Sequence, residues 1–144
     1  DTFIHIMIGR LMEQTDYPNL TTMDSILLTQ KQKDIDIYVE EKNKQLFSQL
    51  DAFGHEYGVV FAEKYFSELG NRLSEMHPEY EYIAMIDISR GMVSYRTVKE
   101  NIDLGGEIAH SFGGGGHIKA GGSMFNADDV QENVLRFIFE ESWE

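Results

Sequence analysis

Ser111-Phe112-Gly113-Gly114-Gly115-Gly116-His117-Ile118-Lys119-Ala120-Gly121-Gly122 holds six of the chain's thirteen glycines and places two basic side chains, His117 and Lys119, just past the four-glycine run. Glycine loses more conformational freedom on ordering than any other residue. Four in succession therefore make sense where the backbone takes left-handed angles or lets a ligand come close. Consecutive amides without Cβ atoms can turn toward one anion, and a glycine-rich loop feeding a short helix adds that helix's unpaired N–H groups at the same spot. His117 and Lys119 then supply side-chain donors. A linker of Gly and Ser repeats would lack large apolar residues, whereas here Phe112, Ile118, Met124 and Phe125 are expected to press in from both sides and anchor the loop.

Working outward, Tyr82 to Ile88 is apolar on both faces except for Asp87, the pattern of an interior strand. Ser89-Arg90-Gly91-Met92 then reads as a tight hairpin with Arg90-Gly91 as its two-residue loop. That register sets Asp87 opposite Ser94 and Met85 opposite Arg96, so Asp87, Ser94 and Arg96 emerge on one face. Arg96 offers a rigid fork suited to a phosphate, Ser94 a hydroxyl, and Asp87 a carboxylate that can orient Arg96 or accept from a ribose hydroxyl. The structural alternative is an Arg96–Asp87 ion pair.

Asp103 is placed to cap a helix carrying Leu104, Ile108 and Phe112 and ending at the glycine run, with Gly105 and Gly106 weakening its first turn and His110 on its exposed side. Ser123 to Phe125 fits a short strand, and Asn126 caps a last helix with an inner stripe of Val130, Val134, Phe137 and Ile138, against whose end Trp143 packs. Upstream, Tyr57 to Ala62 reads as a buried strand. A helix from about Glu63 to Met76 turns Phe66, Leu69 and Leu73 inward and is closed by His77-Pro78. A long helix spans about Thr22 to Asp51, with Ile35, Val39, Leu46, Leu50 and Phe53 at helical offsets and Gly54 as its stop; a first helix, Thr2 to Gln14, is broken at Thr15 to Asn19. His5 suits packing, and His55 and His77, loop residues at element ends, read as solvated. The fold expected is α/β: a small mixed sheet from the strands near Tyr57, Tyr82, Met92 and Ser123, covered by the helices near Glu63, Asp103 and Ala127 and preceded by a long linker helix.

At 144 residues, 42% hydrophobic and 26% charged, the composition is that of one soluble globular domain. Without cysteine there is no disulfide and no thiolate ligand, and the cytoplasm is the expected compartment. No apolar run approaches membrane-spanning length. A start at Asp1-Thr2-Phe3, without an initiator Met, suggests a piece of a longer protein. The formal charge of −13 opposes long nucleic acid, which is held mainly through Lys and Arg, yet leaves room for a short oligonucleotide or a dinucleotide held in one local pocket.

The run from Gly113 to Gly122, preceded at a distance by Val93-Ser94-Tyr95-Arg96, resembles the C-terminal substrate-binding (DHHA1) domain of the DHH phosphoesterases over about Glu56 to Phe125. The branch most like it is that of the oligoribonucleases. One departure is Gly121, where the family usually has the middle Ala of Ala-Ala-Gly. The resemblance implies that residues 1–53 are the tail of a preceding DHH domain plus a connecting helix, and residues 54–144 a DHHA1-like domain. It further implies that Ser94, Arg96, Gly113, Gly114, Gly115, Gly116, His117 and Lys119 hold substrate phosphates, and that His117 donates to the scissile phosphate. Hydrolysis would come from a two-metal centre, manganese first among the candidates, in a DHH domain of the same full-length protein. None of His5, His55, His77, His110 and His117 is adjacent to another, and no metal-ligand cluster is spelled out, so this chain alone is expected to hold no metal and to catalyse no hydrolysis. Partners implied are short RNA or DNA oligonucleotides or dinucleotides, the DHH domain, and a second copy through the apolar stripe of the linker helix. The alternatives are a cyclic-dinucleotide phosphodiesterase domain and a non-catalytic nucleotide- or tRNA-binding module like that appended to alanyl-tRNA synthetases.

Overall fold

The computed structural model describes residues 17–140, with side chains from residue 21 on. The expected helix Thr2 to Gln14, His5 and Trp143 lie outside the described residues. By contact density the chain divides into Asp1–Tyr38 and Val39–Glu144. Within the first unit the described residues are helical, belonging to α1 (Tyr17–Asn43). The helix begins inside the expected break, with Pro18 in its first turn, where the missing N–H would have no helical partner in any case. Its surface is laced by local pairs, Gln30 to Asp34 at 3.0 Å and Gln32 to Asp36 at 2.9 Å.

In the second unit the last turn of α1 buries Val39. The helix stops at Asn43 instead of running to Asp51, because the chain turns at Lys42–Gln45 and leaves as strand β1 (Phe47–Leu50). The apolar spacing that predicted a longer helix serves here as a strand: β1 pairs antiparallel with β2 (Glu56–Phe61), Phe47 opposite Val59. Leu50 and Phe53, expected to be inward, are 72% and 51% exposed. Gly54, at φ +88°, turns the β1–β2 hairpin and ends no helix.

Asp51 holds that hairpin together. Its carboxylate accepts from the amides of Phe53 (2.9 Å) and His55 (2.8 Å) and from the Tyr82 hydroxyl (2.9 Å), and lies 3.0 Å from His55 Nδ1. His55 thus has a carboxylate partner, as does His77, whose ring bridges Glu79 and Asn43. Neither is the solvated histidine expected: the β1–β2 turn brings Asp51 to His55, and the end of α1 sets Asn43 against His77. Burial pushes the Asp51 carboxyl up, but the donors from His55, Tyr82 and Phe53 outweigh it and hold the group below the usual carboxylate range.

With β3 (Ile83–Asp87), β4 (Met92–Arg96), β5 (Gly115–His117) and β6 (Ala120–Met124) the sheet has six strands, in the order β1-β2-β3-β4-β6-β5. β2 runs through α2 (Phe66–Met76) into β3 (Ile83–Asp87), which pairs parallel to it; every other pairing is antiparallel. The sheet is therefore mixed, and β3 is buried along nearly its whole length, as its apolar run predicts. α2 covers one face, with Leu69 and Leu73 fully buried. The opposite face carries a core of Tyr82, Ala84, Tyr95, Ile102, Leu104, Ile108 and Ala109. The segment Leu104–Ala109 closes that core as a π-helix where an α-helix is expected. Asp103 caps it as anticipated, its carboxylate accepting from the Gly106 amide at 2.8 Å. The Asp103 carbonyl then accepts from both Glu107 N and Ile108 N, which widens the turn.

The two glycines that seemed to weaken this turn are what permit it. A Cβ on Gly106 would run into the Asp103 carboxylate, and one on Gly105 into the carbonyl of Gly116. Helix α3 (Ala127–Phe139) follows an Asn126 cap at 3.1 Å to Asp129 N. Its expected inner stripe is outward: Val134, Phe137 and Ile138 are 38%, 72% and 64% exposed, and no residue of α3 is buried.

Two consequences can be measured. Gly105→Ala forces the π-helix off the Gly116 carbonyl and is expected to lower stability by at least about 2 kcal/mol in urea unfolding; an unshifted midpoint would mean that the two backbones separate freely. Asp51 has a lowered folded pKa, so it stabilises above the ordinary carboxylate pKa and that contribution fades as pH falls through the folded value. Stability between about pH 5 and pH 2 should therefore fall less steeply in Asp51→Asn than in the parent.

Candidate functional site

Strand β4 (Met92–Arg96) lies beside β6 (Ala120–Met124), and β6 beside the edge strand β5 (Gly115–His117). The registers align two cross-strand rows: Ser94–Gly122–Gly115 and, two residues along, Arg96–Ala120–His117. Residues in such rows point to the same face, and two strand spacings put the ends of each row about 10 Å apart. Ser94, Arg96, Gly115 and His117 therefore share one face of the sheet, the face that α2 covers farther along. Gly70 of α2 lies against the Cβ and Cγ of Arg96 and against Met85.

The β3–β4 register differs from expectation by two residues. Asp87 pairs with Met92, Met85 with Ser94 and Ile83 with Arg96, because the turn takes four residues, Ile88 to Gly91, instead of two. Gly91 adopts φ +67° there, with its Cα against the Phe125 carbonyl. A two-residue slip preserves the face, so Asp87 still emerges with Ser94 and Arg96, but it lies too far along to reach Arg96. Its carboxylate instead pairs with Arg90 at 3.3 Å. Arg96 donates to Ser67 Oγ of α2 at 2.7 Å, and no carboxylate among the described residues pairs with it.

The glycine run feeds a hairpin and not the short helix expected; β5 and β6 are joined through Ile118-Lys119. Its amides do not all converge on one point either. Gly113 N donates to His110 O (3.0 Å) and Gly114 N to Ala109 O (2.8 Å), closing the end of the π-helix. Phe112, Ile118 and Met124, expected to anchor the loop, are 60%, 55% and 75% exposed. Backbone contacts anchor it instead, since side chains cannot reach where glycines allow two backbones to touch.

The four glycines have separate reasons to be glycine. Gly113 adopts φ +80° in open space. Gly114 has no room for a Cβ, which would enter the Gly122 carbonyl, and Gly116 combines φ +131° with the Ala120 carbonyl at 2.6 Å from where its Cβ would be. Gly115 has neither constraint: its φ is ordinary and nothing lies within 4 Å of the Cβ position. Together with Gly122 it leaves the sheet bare beside Ser94.

Ser94, Gly113, Gly114 and Gly122 line one pocket of about 350 Å³ with Met92, Val93, Ser123 and Met124. Arg96 and His117 stand in the next row on the same face. Lys119 is not brought into this pocket; it sits in the hairpin turn with its ammonium 2.5 Å from Glu100. Sequence reading missed Ser67 and Gly70, which seat Arg96. A signal existed in the small pair at i and i+3 inside an otherwise bulky helix. It also missed Glu100, whose pairing with Lys119 depends on how the β5–β6 turn comes back beside residues 97–100. Among the described residues no three His, Asp or Glu side chains converge as metal ligands.

The different reasons for glycine separate by experiment. Gly114→Ala is expected to destabilise by more than about 1 kcal/mol. Gly115→Ala should leave the thermal midpoint unchanged or raise stability by up to about 1 kcal/mol, since only unfolded-chain freedom is lost. Equal destabilisation by both would show that Gly115 is held by the fold after all.

No family model matches the chain. Oligoribonuclease NrnB of Bacillus subtilis (strain 168) is 37% identical over 134 residues, covering 92% of this chain and 32% of its own length, so the chain spans about a third of that relative. Among solved structures, a protein of Helicobacter pylori G27 is 21% identical, with 90% of this chain and 36% of that chain covered at a TM-score of 0.47. The pGpG-specific phosphodiesterase PggH of Vibrio cholerae is 14% identical, with 74% and 39% covered at a TM-score of 0.40. Likenesses this distant add nothing to the sequence match. That match runs across nine-tenths of the chain, glycine run and Ser94–Arg96 strand included, so the chain is similar to one third of an oligoribonuclease, in keeping with its resemblance to the DHHA1 domain of the DHH phosphoesterases.

Proposed function

We propose that this chain is the substrate-gripping domain of a DHH-type phosphodiesterase, holding phosphates of short oligoribonucleotides or dinucleotides for hydrolysis by a DHH domain. The observation that carries this reading is the bare floor beside Ser94: Gly115 is glycine although neither its φ nor its neighbours require it, and a side chain there would occupy the space over the Ser94 row. Close approach of a ligand to the backbone supplies the missing reason. Arg96 supports it. On a chain of formal charge −13 its guanidinium is oriented by a neutral hydroxyl and not cancelled by a carboxylate, which leaves its charge for an incoming anion.

In this reading Ser94 donates its hydroxyl and Arg96 its fork to a phosphate. His117, at the end of the Arg96 row, stands where it can donate to the next phosphate along. Gly113 and Gly114 shape the pocket and hold the π-helix against it. Lys119 joins only when an anion displaces Glu100. The acidity of the whole favours substrates of a few phosphates, since longer strands meet repulsion outside the pocket. The divalent metal, manganese first among the candidates, belongs to the DHH domain; this chain contributes positioning, which in oriented reactions is worth several kcal/mol.

Calorimetric titration with the dinucleotide pApA tests the grip. Binding should weaken roughly tenfold or more in Arg96→Ala, as expected when a charge-assisted hydrogen bond is lost. Ser94→Ala should weaken it by a smaller factor, with no turnover by the chain in manganese buffer. Affinity untouched by either substitution would reduce the glycine run to a structural turn, and turnover would place a metal centre inside this chain.

A further inference from the structure

The sheet face opposite Ser94 and Arg96 carries a half-open groove of about 290 Å³, lined by Tyr57, Val93, Tyr95, Phe112, Ser123 and Phe125 among others, none of them charged. Its aromatic rings form a ladder anchored in the core. Tyr57 stacks on the buried Tyr82 at 4.8 Å, Tyr82 meets Tyr95 edge-on at 6.1 Å, and Phe112 lies nearly parallel to Tyr95, 9° apart at 6.4 Å. Phe112 is 60% exposed, so a ring held parallel to a fixed tyrosine still offers much of its surface to solvent. The polar groups of the groove are few: the Tyr95 hydroxyl lies 2.8 Å from Ser123 Oγ, and the Tyr57 phenol is nearby. An apolar slot with rigid rings and a few hydroxyls fits a planar heteroaromatic ring.

The groove is not isolated from the phosphate pocket. Both are lined by Val93, Ser123 and Met124, and the segment Phe112–Gly114 borders one with Phe112 and the other with its glycines. Past Gly115 the edge strand no longer pairs with β6, and the exposed Met124, next to the buried Ser123, marks the border between the two pockets.

We propose that this groove takes the nucleobase of the nucleotide whose phosphate lies at Ser94 and the glycine loop, with Phe112 as its stacking platform; the assignment rests on the phosphate reading above. Stacking reads a π-face and not a particular base, so the site would accept bases broadly, as suits an enzyme acting on mixed short fragments.

The test compares AMP, adenosine and ribose 5-phosphate on the 144-residue chain by NMR titration. Phe112→Ala should weaken AMP and adenosine about tenfold and leave ribose 5-phosphate unchanged, while Phe112→Trp retains all three affinities. Arg96→Ala should do the reverse, weakening AMP and ribose 5-phosphate and sparing adenosine. The exposure of Phe112 makes loss of fold in Phe112→Ala unexpected, and an unchanged urea midpoint confirms it. Should ribose 5-phosphate fail to bind while adenosine still depends on Phe112, the phosphate reading falls and the groove stands as a base site. Adenosine that does not bind, or binding indifferent to Phe112→Ala, overturns the proposal.

Discussion

Backbone touching backbone is the constraint on which the rest of this domain depends. The π-helix meets the β5–β6 hairpin where Gly105 lies under the Gly116 carbonyl, and the approach to β5 meets β6 where Gly114 lies under the Gly122 carbonyl. At both places the missing atom is a Cβ, and at both a side chain would push apart elements that together close one face of the sheet. The amides of Gly113 and Gly114 complete the join by satisfying the last carbonyls of the π-helix. Phe112, Ala120 and His117 all hang from this seam. The position of the candidate site is thus set by where glycines let main chains come together, more than by hydrophobic packing around it.

This explains what the sequence made legible and what it did not. β3 could be read because an interior strand leaves an uninterrupted apolar run, and α2 because Leu69 and Leu73 sit at helical spacing over a buried face. The caps at Asp103 and Asn126 followed from local chemistry alone. The errors came where a local signal had two solutions. Leu46 to Phe53 suits a helix or a strand, and the pairing of Phe47 with Val59, a tertiary fact, decided for the strand. Arg90-Gly91 suited a two-residue turn, but Gly91 was needed against the Phe125 carbonyl, and the register moved by two. The glycine run advertised a special backbone without saying which one; its amides went to the π-helix, and its open side went to the face bearing Ser94.

The cations of this region divide in a way that composition hides. Lys119 is neutralised by Glu100, Arg90 by Asp87 and Lys99 by Glu81, each through a partner brought close by a turn or a neighbouring strand. Arg96 alone in this group of four is held by a hydroxyl. An acidic protein can therefore present a local positive site without a positive surface, provided that the fold withholds one carboxylate at the right place.

The bareness of β5 has another side. An edge strand is a row of unpaired amides and carbonyls on which a foreign strand can add, and a sheet that must leave one edge open to work carries that exposure permanently. Here the open edge is three residues long and two of them are glycine. A strand docking on it would gain few ladder bonds and almost no side-chain contact, and the charge of the chain would oppose a second copy. The residues that keep the floor clear thus also make this edge of the sheet a poor template for an added strand.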